Sequence, residues 1–276
     1  MINQFKLCAF ADEADAMIDG QIKVLNENGI KYLEMRGIDG KNVSQISLEE
    51  AKAVKKKLDS GGIKVWAIGS PTGKIDISAD FDNHFEDFKR MIEIAGIVGA
   101  SHYRMFSFYG VTDSAKKEKA LSYLQKLIDF AKGYGIVLCH ENEKDIYGEG
   151  AAACLEIHKA LPDLRAIFDP ANFVQVGQDT LEAWELLEPY VEYMHIKDAR
   201  TDGSVVPAGK GDGNVAALIA KFAAKGGRVL TLEPHLSVFP GLDELERGRK
   251  HDNGEFVYAS GRAAFDASVS ALREIG

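Results

Sequence analysis

Short apolar runs alternate with longer helical patterns along the whole chain, and this alternation is the feature that most restricts the fold. Eight runs of three to five residues resemble buried strands, and a window with apolar residues every three to four positions follows each of them. Such alternation is typical of a parallel sheet whose strands are joined by helices. The predicted strands are 6–10, 32–35, 64–68, 102–106, 136–140, 166–168, 193–196 and 229–232. The helical windows are 19–29, 47–62, 83–99, 114–135, 150–162, 180–190, 214–227 and 261–275.

Eight strand–helix units predict an α/β chain that closes into a (β/α)8 TIM barrel. The 276 residues suit this fold, which usually takes about 250. The alternative is an open, doubly wound sheet, which more often has a glycine-rich phosphate turn after its first strand. Here "FADEAD" follows that strand instead. Because no linker, repeat or low-complexity tract interrupts the pattern, residues 1–276 are predicted to form a single domain.

Glycine follows several of the helical windows, where a helix often ends with a residue in the left-handed conformation. Glycine adopts that conformation without steric cost. We therefore predict a positive φ at Gly29, Gly61, Gly99, Gly135 and Gly226.

The composition restricts the partners and the compartment. The chain has 33 Lys and Arg against 42 Asp and Glu, a net charge of −9, which argues against nucleic acid or an anionic membrane as the main partner. Three cysteines, without metal-type spacing, favour a reducing cytoplasm over a disulfide framework. The first residues lack the pattern of a signal peptide, and no apolar run approaches the ~20 residues of a membrane span. Assembly into a homo-oligomer is left open.

Polar residues end the last four predicted strands, in "CHENE", "IFDPANF", "MHIKDAR" and "LTLEPHL". A barrel forms its site at the carboxyl ends of its strands. Because side chains alternate between the two faces of a strand, four of them are predicted to point into the barrel mouth: Glu141, Asp169, His195 and Glu233. Three carboxylates there would repel one another unless they were protonated or bridged by a cation. Three oxygen ligands and one imidazole suit Mn²⁺, the predicted cofactor, with Mg²⁺, Co²⁺ or Zn²⁺ as alternatives.

Each of these residues has a structural alternative when it is taken alone. A single acid at a strand end is more often a helix N-cap or a loop residue than a metal ligand. A single histidine there is more often a hydrogen-bonded core residue. Four polar residues in the same register on consecutive strands favour the metal site.

The chain resembles the xylose-isomerase-like TIM-barrel superfamily and, within it, the sugar phosphate isomerase/epimerase family. The resemblance rests on "FADEA", "GIKYLEMRGIDGKNV", "HIKDAR", "GKGDGNV" and "LEPHL", which spread over nearly the whole chain. The metal ligands of the family fall on Glu141, Asp169, His195 and Glu233. The group also holds ketose 3-epimerases, hydroxypyruvate isomerase and inosose dehydratase, so these motifs indicate the superfamily without naming a substrate.

The resemblance implies a divalent-metal-dependent isomerase or epimerase of a small sugar, keto-sugar or polyol. Glu141 and Glu233 would transfer the proton beside a carbonyl, because a metal stabilises the enediolate that a carboxylate alone is too weak a base to form. A lyase is the alternative: an inosose-type dehydratase or a 3-keto-glycoside cleaving enzyme removes the same proton and then expels a leaving group. The negative charge disfavours an apurinic-site endonuclease of the superfamily, and the intact ligand set disfavours a non-catalytic barrel.

Six further residues are predicted to bind the substrate: Arg36, Arg104, Asn172, Lys197, Arg200 and His235. A guanidinium binds oxyanions with two parallel hydrogen bonds, although Arg104 and Lys197 have ion pairs with nearby acids as an alternative. Asn172 departs from the ketose 3-epimerases that the chain resembles, which usually have histidine at this place. An amide hydrogen-bonds a hydroxyl group but cannot carry a proton near neutral pH, so a standard 3-epimerase is disfavoured.

Three other features allow more than one interpretation. The segment "GKGDGNV" fits a phosphate site or, more commonly, a turn with Asp212 or Asn214 as helix N-cap. Alternation turns His140 toward the helices and predicts a structural role. For Glu34, a direction toward the barrel interior is left open. The long connection 239–256 after the last strand is predicted to be a lid or a subunit contact.

Overall fold

The structure, a computed structural model, describes residues 2–240, 242 and 252–275. Most of the connection predicted to be a lid or a subunit contact lies outside the described residues. The strands are β1 (Lys6–Ala9), β2 (Tyr32–Met35), β3 (Gly37–Ile38), β4 (Lys41–Asn42), β5 (Lys64–Ile68), β6 (His102–Met105), β7 (Val137–Glu141), β8 (Arg165–Phe168), β9 (Val191–Ile196), β10 (Asp198–Ala199), β11 (Val205–Val206) and β12 (Val229–Leu232). The α-helices are α1 (Ile18–Glu27), α2 (Leu48–Ser60), α3 (Phe81–Val98), α4 (Ser114–Lys132), α5 (Ala151–Ala160), α6 (Pro170–Gln175), α7 (Thr180–Leu187), α8 (Val215–Ala224) and α9 (Gly261–Glu274).

Eight of the strands close into a parallel barrel in the order β1, β12, β9, β8, β7, β6, β5, β2. Helices lie between successive barrel strands, so the predicted (β/α)8 TIM barrel is confirmed. All eight predicted strands are present, and β2, β5 and β12 have the predicted bounds. The first strand ends one residue earlier than predicted, although the N–H of Phe10 still donates to the carbonyl of Leu232 (2.9 Å).

Small and apolar residues fill the barrel axis: Cys8, Ala67, Cys139, Ile167, Tyr193 and Val229. Three of these stand two residues before an acid or histidine of the predicted metal site, so the same strand face is apolar first and polar at its end. The larger apolar layer lies between the strands and the helices, where Phe88, Phe168 and Trp184 are buried. The three cysteines are buried and unpaired.

Glycine ends several helices, with one correction to the prediction. Positive φ angles between 64° and 81° occur at Gly29, Gly99, Gly135 and Gly226. Gly61, by contrast, has a φ of −83°, and the left-handed residue is Gly62 with a φ of 68°. The prediction for Gly61 was wrong because two successive glycines follow α2 and the sequence does not show which of them reverses the chain.

Two short antiparallel hairpins, β3–β4 and β10–β11, follow β2 and β9. The sequence pattern does not reveal them, because strands of two residues are too short to show a period. Both begin at the carboxyl end of a barrel strand, where the predicted site lies. Within the described ranges, no helix has both the length and the apolar character that crossing a bilayer requires.

Candidate metal centre

Four polar side chains meet at the carboxyl end of the barrel, as the strand alternation predicts. Glu141 ends β7, His195 lies in β9, and Asp169 and Glu233 directly follow β8 and β12. Each of the four is at most 2% exposed. One ligand atom from each lies within 4.8 Å of the other three. We refer to these residues as the cluster.

The spacing within the cluster suits a divalent cation. The Nδ1 atom of His195 lies 2.8 Å from Glu141 Oε1 and 3.1 Å from Glu233 Oε2. Neighbouring ligands around an octahedral ion with bonds of about 2.1 Å stand about 3 Å apart. Three carboxylates and an imidazole, without a thiolate, match the preferences of Mg²⁺ and Mn²⁺, and Zn²⁺ also accepts them.

Asp169 serves both the adjoining helix and the cluster. Its Oδ1 accepts the backbone N–H of Asn172 (3.0 Å) and caps α6, which is the structural alternative for an acid at a strand end. Its Oδ2 lies 2.9 Å from the Nζ of Lys197, but the atoms are not aligned for a hydrogen bond, and Oδ2 accepts none in the described structure. Burial raises the pKa of Asp169 to about 6, and Lys197 only partly offsets this effect. A cation beside Oδ2 would satisfy this oxygen, so the residue fits the role of a metal ligand.

Glu34 contacts the ring nitrogen of His195 that faces away from the other carboxylates. Its Oε2 lies 3.3 Å from His195 Nε2, and its Oε1 accepts the hydroxyl of Tyr193 (2.9 Å). When Nε2–H points to Glu34, the lone pair of Nδ1 points to the carboxylates of the cluster, as in metal sites where a second carboxylate holds the ligand histidine. The direction of Glu34 was left open by the sequence. A register shift between Leu33 and Glu34 interrupts the pairing of β2 with β5, so simple alternation does not apply there.

Three buried cations balance the acids of the cluster. Arg104 Nη1 lies 3.1 Å from Glu141 Oε2, and Lys197 Nζ lies 3.4 Å from Glu233 Oε2. Arg36 donates to Glu233 Oε1 (3.0 Å). For Arg104 and Lys197 the structure therefore contains the ion pairs that the sequence leaves as an alternative to substrate binding.

These cations control the protonation of the two glutamates. Burial would raise the pKa of Glu141, but His195 and Arg104 outweigh it and lower the pKa to about 2. Burial is also outweighed at Glu233, where Lys197 and His195 hold the pKa well below its usual range. The cluster acids in turn raise the pKa of His195 well above its ordinary value, against the effect of burial. Both glutamates are therefore ionised near neutral pH.

Two acidic residues that the sequence analysis does not assign also belong to the site. Asp12 and Glu13 follow β1 in a 3₁₀ turn, and both are buried. Arg36 donates to Asp12 Oδ2 (2.9 Å) and to Glu13 Oε1 (3.1 Å), so it links them to the cluster. The sequence feature from which they could have been predicted is "FADEAD", in which three acids directly follow a predicted buried strand.

The remaining predicted substrate residues lie in three different surroundings. His235 is buried, and its Nε2 lies 3.5 Å from a carboxylate oxygen of the cluster. The side-chain amide of Asn172 donates to the carbonyl of Asn142 (2.8 Å) and thus joins the loops after β7 and β8. Arg200 instead lies at the surface, where it forms two hydrogen bonds with the carboxylate of Glu255 (2.7 and 2.8 Å).

His140 faces away from the cluster, as predicted. Its Nε2 lies 2.9 Å from Ser107 Oγ, and its ring packs edge-on against His158 of α5, with 5.8 Å between the centroids. Burial lowers the pKa of His140 to about 3, so the ring is neutral at neutral pH. These contacts fit the predicted structural role.

The segment "GKGDGNV" surrounds a carboxylate of the protein itself. The backbone N–H groups of Gly209 and Gly211 donate to Asp198 Oδ2 (2.8 and 3.1 Å), and that of Gly213 donates to Oδ1 (2.9 Å). Asp198 therefore accepts the amides that a bound phosphate would use. The segment is a turn, and Asn214, one of the two predicted residues, stands at the N-cap position of α8, although its side chain accepts no capping hydrogen bond.

Comparisons with known proteins identify the same architecture. The model of the xylose isomerase-like TIM barrel family matches residues 22–252. D-allulose 3-epimerase from a Methylomonas species is 15% identical to this chain at a TM-score of 0.76, with 99% of this chain and 96% of that chain covered. The IOLI protein with a bound zinc atom is 18% identical at a TM-score of 0.74, with 98% of each chain covered. The probable 3-DHS dehydratase AsbF from Bacillus anthracis is 15% identical at a TM-score of 0.73, also with 98% of each chain covered.

A comparison with curated proteins finds no match. At identities this low, the solved structures demonstrate a shared fold and nothing more specific. The family match is independent of them and spans most of the barrel. The chain therefore belongs to the xylose isomerase-like TIM barrel family.

Proposed function

We propose that the protein is a divalent-metal-dependent isomerase or epimerase of a small sugar, keto-sugar or polyol. The observation that carries this proposal is the approach of Glu141 and Glu233 to the same atom, His195 Nδ1, at 2.8 and 3.1 Å. The glutamates come from β7 and β12, which stand three places apart in the ring of eight strands. They therefore reach the cluster from different sides, as two groups must if one removes a proton from a carbon and the other returns it.

The four residues of the cluster would hold the metal, with Mn²⁺ as the proposed ion and Mg²⁺, Co²⁺ or Zn²⁺ as alternatives. When bound, the cation would stabilise negative charge on the substrate oxygens beside the carbon that loses its proton. The oxygen-rich donor set supports this choice. Zinc in the IOLI protein and magnesium in a xylose isomerase-like protein from Mycobacterium smegmatis, both of the same fold, are consistent with it.

Other residues of the site would bind the substrate and exclude water. Arg104 is held over the ring of Phe106, with 5.1 Å between the guanidinium carbon and the ring centroid. Arg104 and Lys197 place two positive charges beside the glutamates, where they would stabilise negative charge on a substrate oxygen. Phe10 packs edge-on against His195, with 5.3 Å between the centroids, and keeps water from that side. The carbohydrate substrate is also consistent with the D-allulose bound to the Methylomonas enzyme.

A lyase is the second candidate, and one observation favours it. The Nε2 atom of His235 lies 3.5 Å from Glu233 and 3.6 Å from Glu13, so this side of the site has groups that could protonate a leaving group. An inosose-type dehydratase or a 3-keto-glycoside cleaving enzyme would use the same initial proton abstraction. The dehydratase AsbF shares the fold.

Solvent exchange distinguishes these reactions. Metal-loaded protein would be incubated with ketoses, keto-inositols and 3-keto-glycosides in deuterated water and followed by NMR. Deuterium beside the carbonyl without net elimination would support the isomerase or epimerase, whereas elimination products would support the lyase. Absence of both with every compound would contradict the proposal.

The substitution Glu233→Gln tests the role of this glutamate. We expect exchange to fall about 10²- to 10⁴-fold, because the general base is lost, while the circular dichroism spectrum stays unchanged. Glu192→Gln is the matched control, since Glu192 pairs with Arg165 (3.1 Å) at the start of β9 and should not affect the rate. Unchanged turnover in Glu233→Gln would remove Glu233 from the mechanism.

A further inference from the structure

A cleft of about 350 Å³ lies beside the metal centre. One wall is the β3–β4 hairpin and the residues that follow it. The opposite wall comes from the segments after β5, β6 and β12. The residues that determine its chemistry are Ala16, Asn42, Gln45, Pro71, Tyr109 and Phe239.

The cleft borders residues that contact the metal centre. Arg36 lines the cleft and also donates to the cluster residue Glu233 (3.0 Å). Lys74 lines both the cleft and the small space of about 10 Å³ that Glu233 and Lys197 border. That small space accommodates about one water molecule, so the room for a larger part of a ligand is in the cleft.

The charged residues of the cleft are already paired. Arg36 pairs with Asp12 (2.9 Å), Lys41 with Glu50 (2.6 Å), and Lys74 with Glu143 (3.0 Å). An anionic group in the cleft would have to displace one of these carboxylates. The cleft therefore favours an uncharged ligand.

The other lining groups suit a ring with a polar edge. Tyr109, Phe239 and Pro71 present flat apolar surfaces, against which a ring can pack. The side-chain oxygens of Asn42 and Gln45 accept backbone N–H groups in a capping box. Their NH₂ groups make no hydrogen bond within the described ranges, so they remain available as donors to a ligand.

The hairpin wall is fixed in place before any ligand binds. Gln21 Nε2 donates to the Gly37 carbonyl, and the N–H of Ile18 donates to Asp39 Oδ1, both at 2.9 Å. A Cβ atom at Gly37 would lie 2.6 Å from Asp12 Oδ2, so only glycine allows the hairpin to pack this closely. A wall held in this way limits the ordering cost of binding.

We infer that the cleft is a subsite for an uncharged ring joined to the sugar or polyol that reaches the metal centre. The substrate then has two parts: a sugar or polyol at the inner end of the cleft, of which an oxygen-sized group enters the small space beside the cluster, and a ring substituent in the rest of the cleft. This inference rests on the proposed function and adds the substrate class to it. The ring is a second sugar or a phenolic group, since both combine a flat apolar face with a polar edge.

Binding of three glucosides to Mn²⁺-loaded protein tests the subsite. Methyl β-D-glucoside lacks a second ring, phenyl β-D-glucoside has an aromatic one, and cellobiose has a sugar. We expect at least one of the two larger compounds to bind roughly tenfold more tightly than the methyl glucoside in calorimetric titration. Saturation-transfer NMR should show its second ring in contact with the protein, and the better ligand identifies the kind of ring.

The substitution Ala16→Leu should remove this preference by filling the cleft. Ala115→Leu, at an exposed position in the first turn of α4, is the matched control and should keep it. Tyr109→Leu, which removes one flat wall without adding bulk, should weaken the preference as well. Equal binding of all three glucosides, no binding of any, or tighter binding of glucose 1-phosphate would overturn the inference.

The two proposals fail in different ways. A ring preference that Ala16→Leu removes, without deuterium exchange on any substrate, would contradict the isomerase or epimerase and leave the subsite intact. Exchange that Glu233→Gln removes, without a ring preference, would contradict the subsite alone.

Discussion

At the scale of single residues, the cluster depends on Glu34, which is not one of its four residues but contacts His195. Glu34 is fully buried, and a buried carboxylate is costly unless it is paired or hydrogen-bonded. Its partners are the hydroxyl of Tyr193 and the Nε2 atom of His195. Without the carboxylate, His195 could place its proton on Nδ1, where it would compete with a metal for the carboxylates of the cluster.

We therefore predict that Glu34→Gln lowers the affinity for Mn²⁺ by about 10- to 100-fold, the range found when such supporting groups are removed. The measurement is titration of Mn²⁺ followed by electron paramagnetic resonance, with ¹⁵N NMR of His195 to report the position of its proton. Tyr193→Phe removes a hydrogen bond to Glu34 but keeps the carboxylate, so its effect should be much smaller. Equal affinities of wild type and Glu34→Gln would show that the orientation of His195 is set by other contacts.

Whether a site residue can be predicted from sequence depends on the local structure in which it lies. The four cluster residues lie in regular strands or directly after them, so the two-residue period predicts their direction. Asp12 and Glu13 lie in a 3₁₀ turn, where no period applies, and their meeting with Arg36 depends on barrel closure. Arg200 lies beyond β10, and its pairing with Glu255 joins residues far apart in the chain. Local patterns contain no information about such contacts.

At the scale of elements, the loop between β11 and α8 is built around Asp198. Its amides hold both carboxylate oxygens of that residue. A Cβ atom at Gly211 would lie 2.5 Å from the carbonyl oxygen of Ala199 and 2.5 Å from Asp198 Oδ1. Glycine is required there because the backbone passes so close to the carboxylate. The loop in turn fixes the residue after Lys197, and thereby the start of the lysine side chain beside the cluster.

Gly211→Ala should therefore destabilise the protein by about 1–3 kcal/mol, because the backbone or Asp198 must shift to admit the new atom. Gly96→Ala is the matched control, since the added atom at this position in α3 has no neighbour within 4 Å. Alanine should stabilise that helix by about 0.5–1 kcal/mol. Urea denaturation of both variants measures the difference, and a Gly211→Ala variant as stable as the wild type would contradict the packing argument.

The elements differ in how well the sequence predicts them. Barrel strands and crossover helices repeat one pattern eight times, and each repeat supports the same assignment. The β3–β4 hairpin has two residues per strand and is stabilised by hydrogen bonds with Ile18 and Gln21 of α1. It could not be predicted, although it forms a wall of the cleft.

At the scale of the whole molecule, buried histidines outside the site couple the fold to pH. His158 lies in α5, with its Nδ1 atom 3.1 Å from the Leu164 carbonyl and its ring stacked on Tyr190 at 5.1 Å. Burial lowers the pKa of His158 to about 4, whereas an unfolded chain has the ordinary value of about 6.5. Between these pH values the unfolded chain binds the extra proton. The neutral ring therefore contributes its full stability above pH 6.5, and this contribution is lost as the pH falls toward 4.

The predicted consequence is a free energy of unfolding that falls between pH 6.5 and pH 4, with roughly 3 kcal/mol of the loss due to His158. His158→Asn keeps a donor near the Leu164 carbonyl but cannot bind the proton. The stability of this variant should therefore fall less steeply with decreasing pH than that of the wild type, and the two slopes should differ by at most about 1.4 kcal/mol per pH unit. Urea denaturation of metal-free protein in the presence of a chelator measures both slopes. Leu155→Ala, on the same helix, should lower stability equally at every pH, because it removes packing without a titrating group. If His158→Asn has the wild-type slope, other groups must cause the acid sensitivity of the barrel.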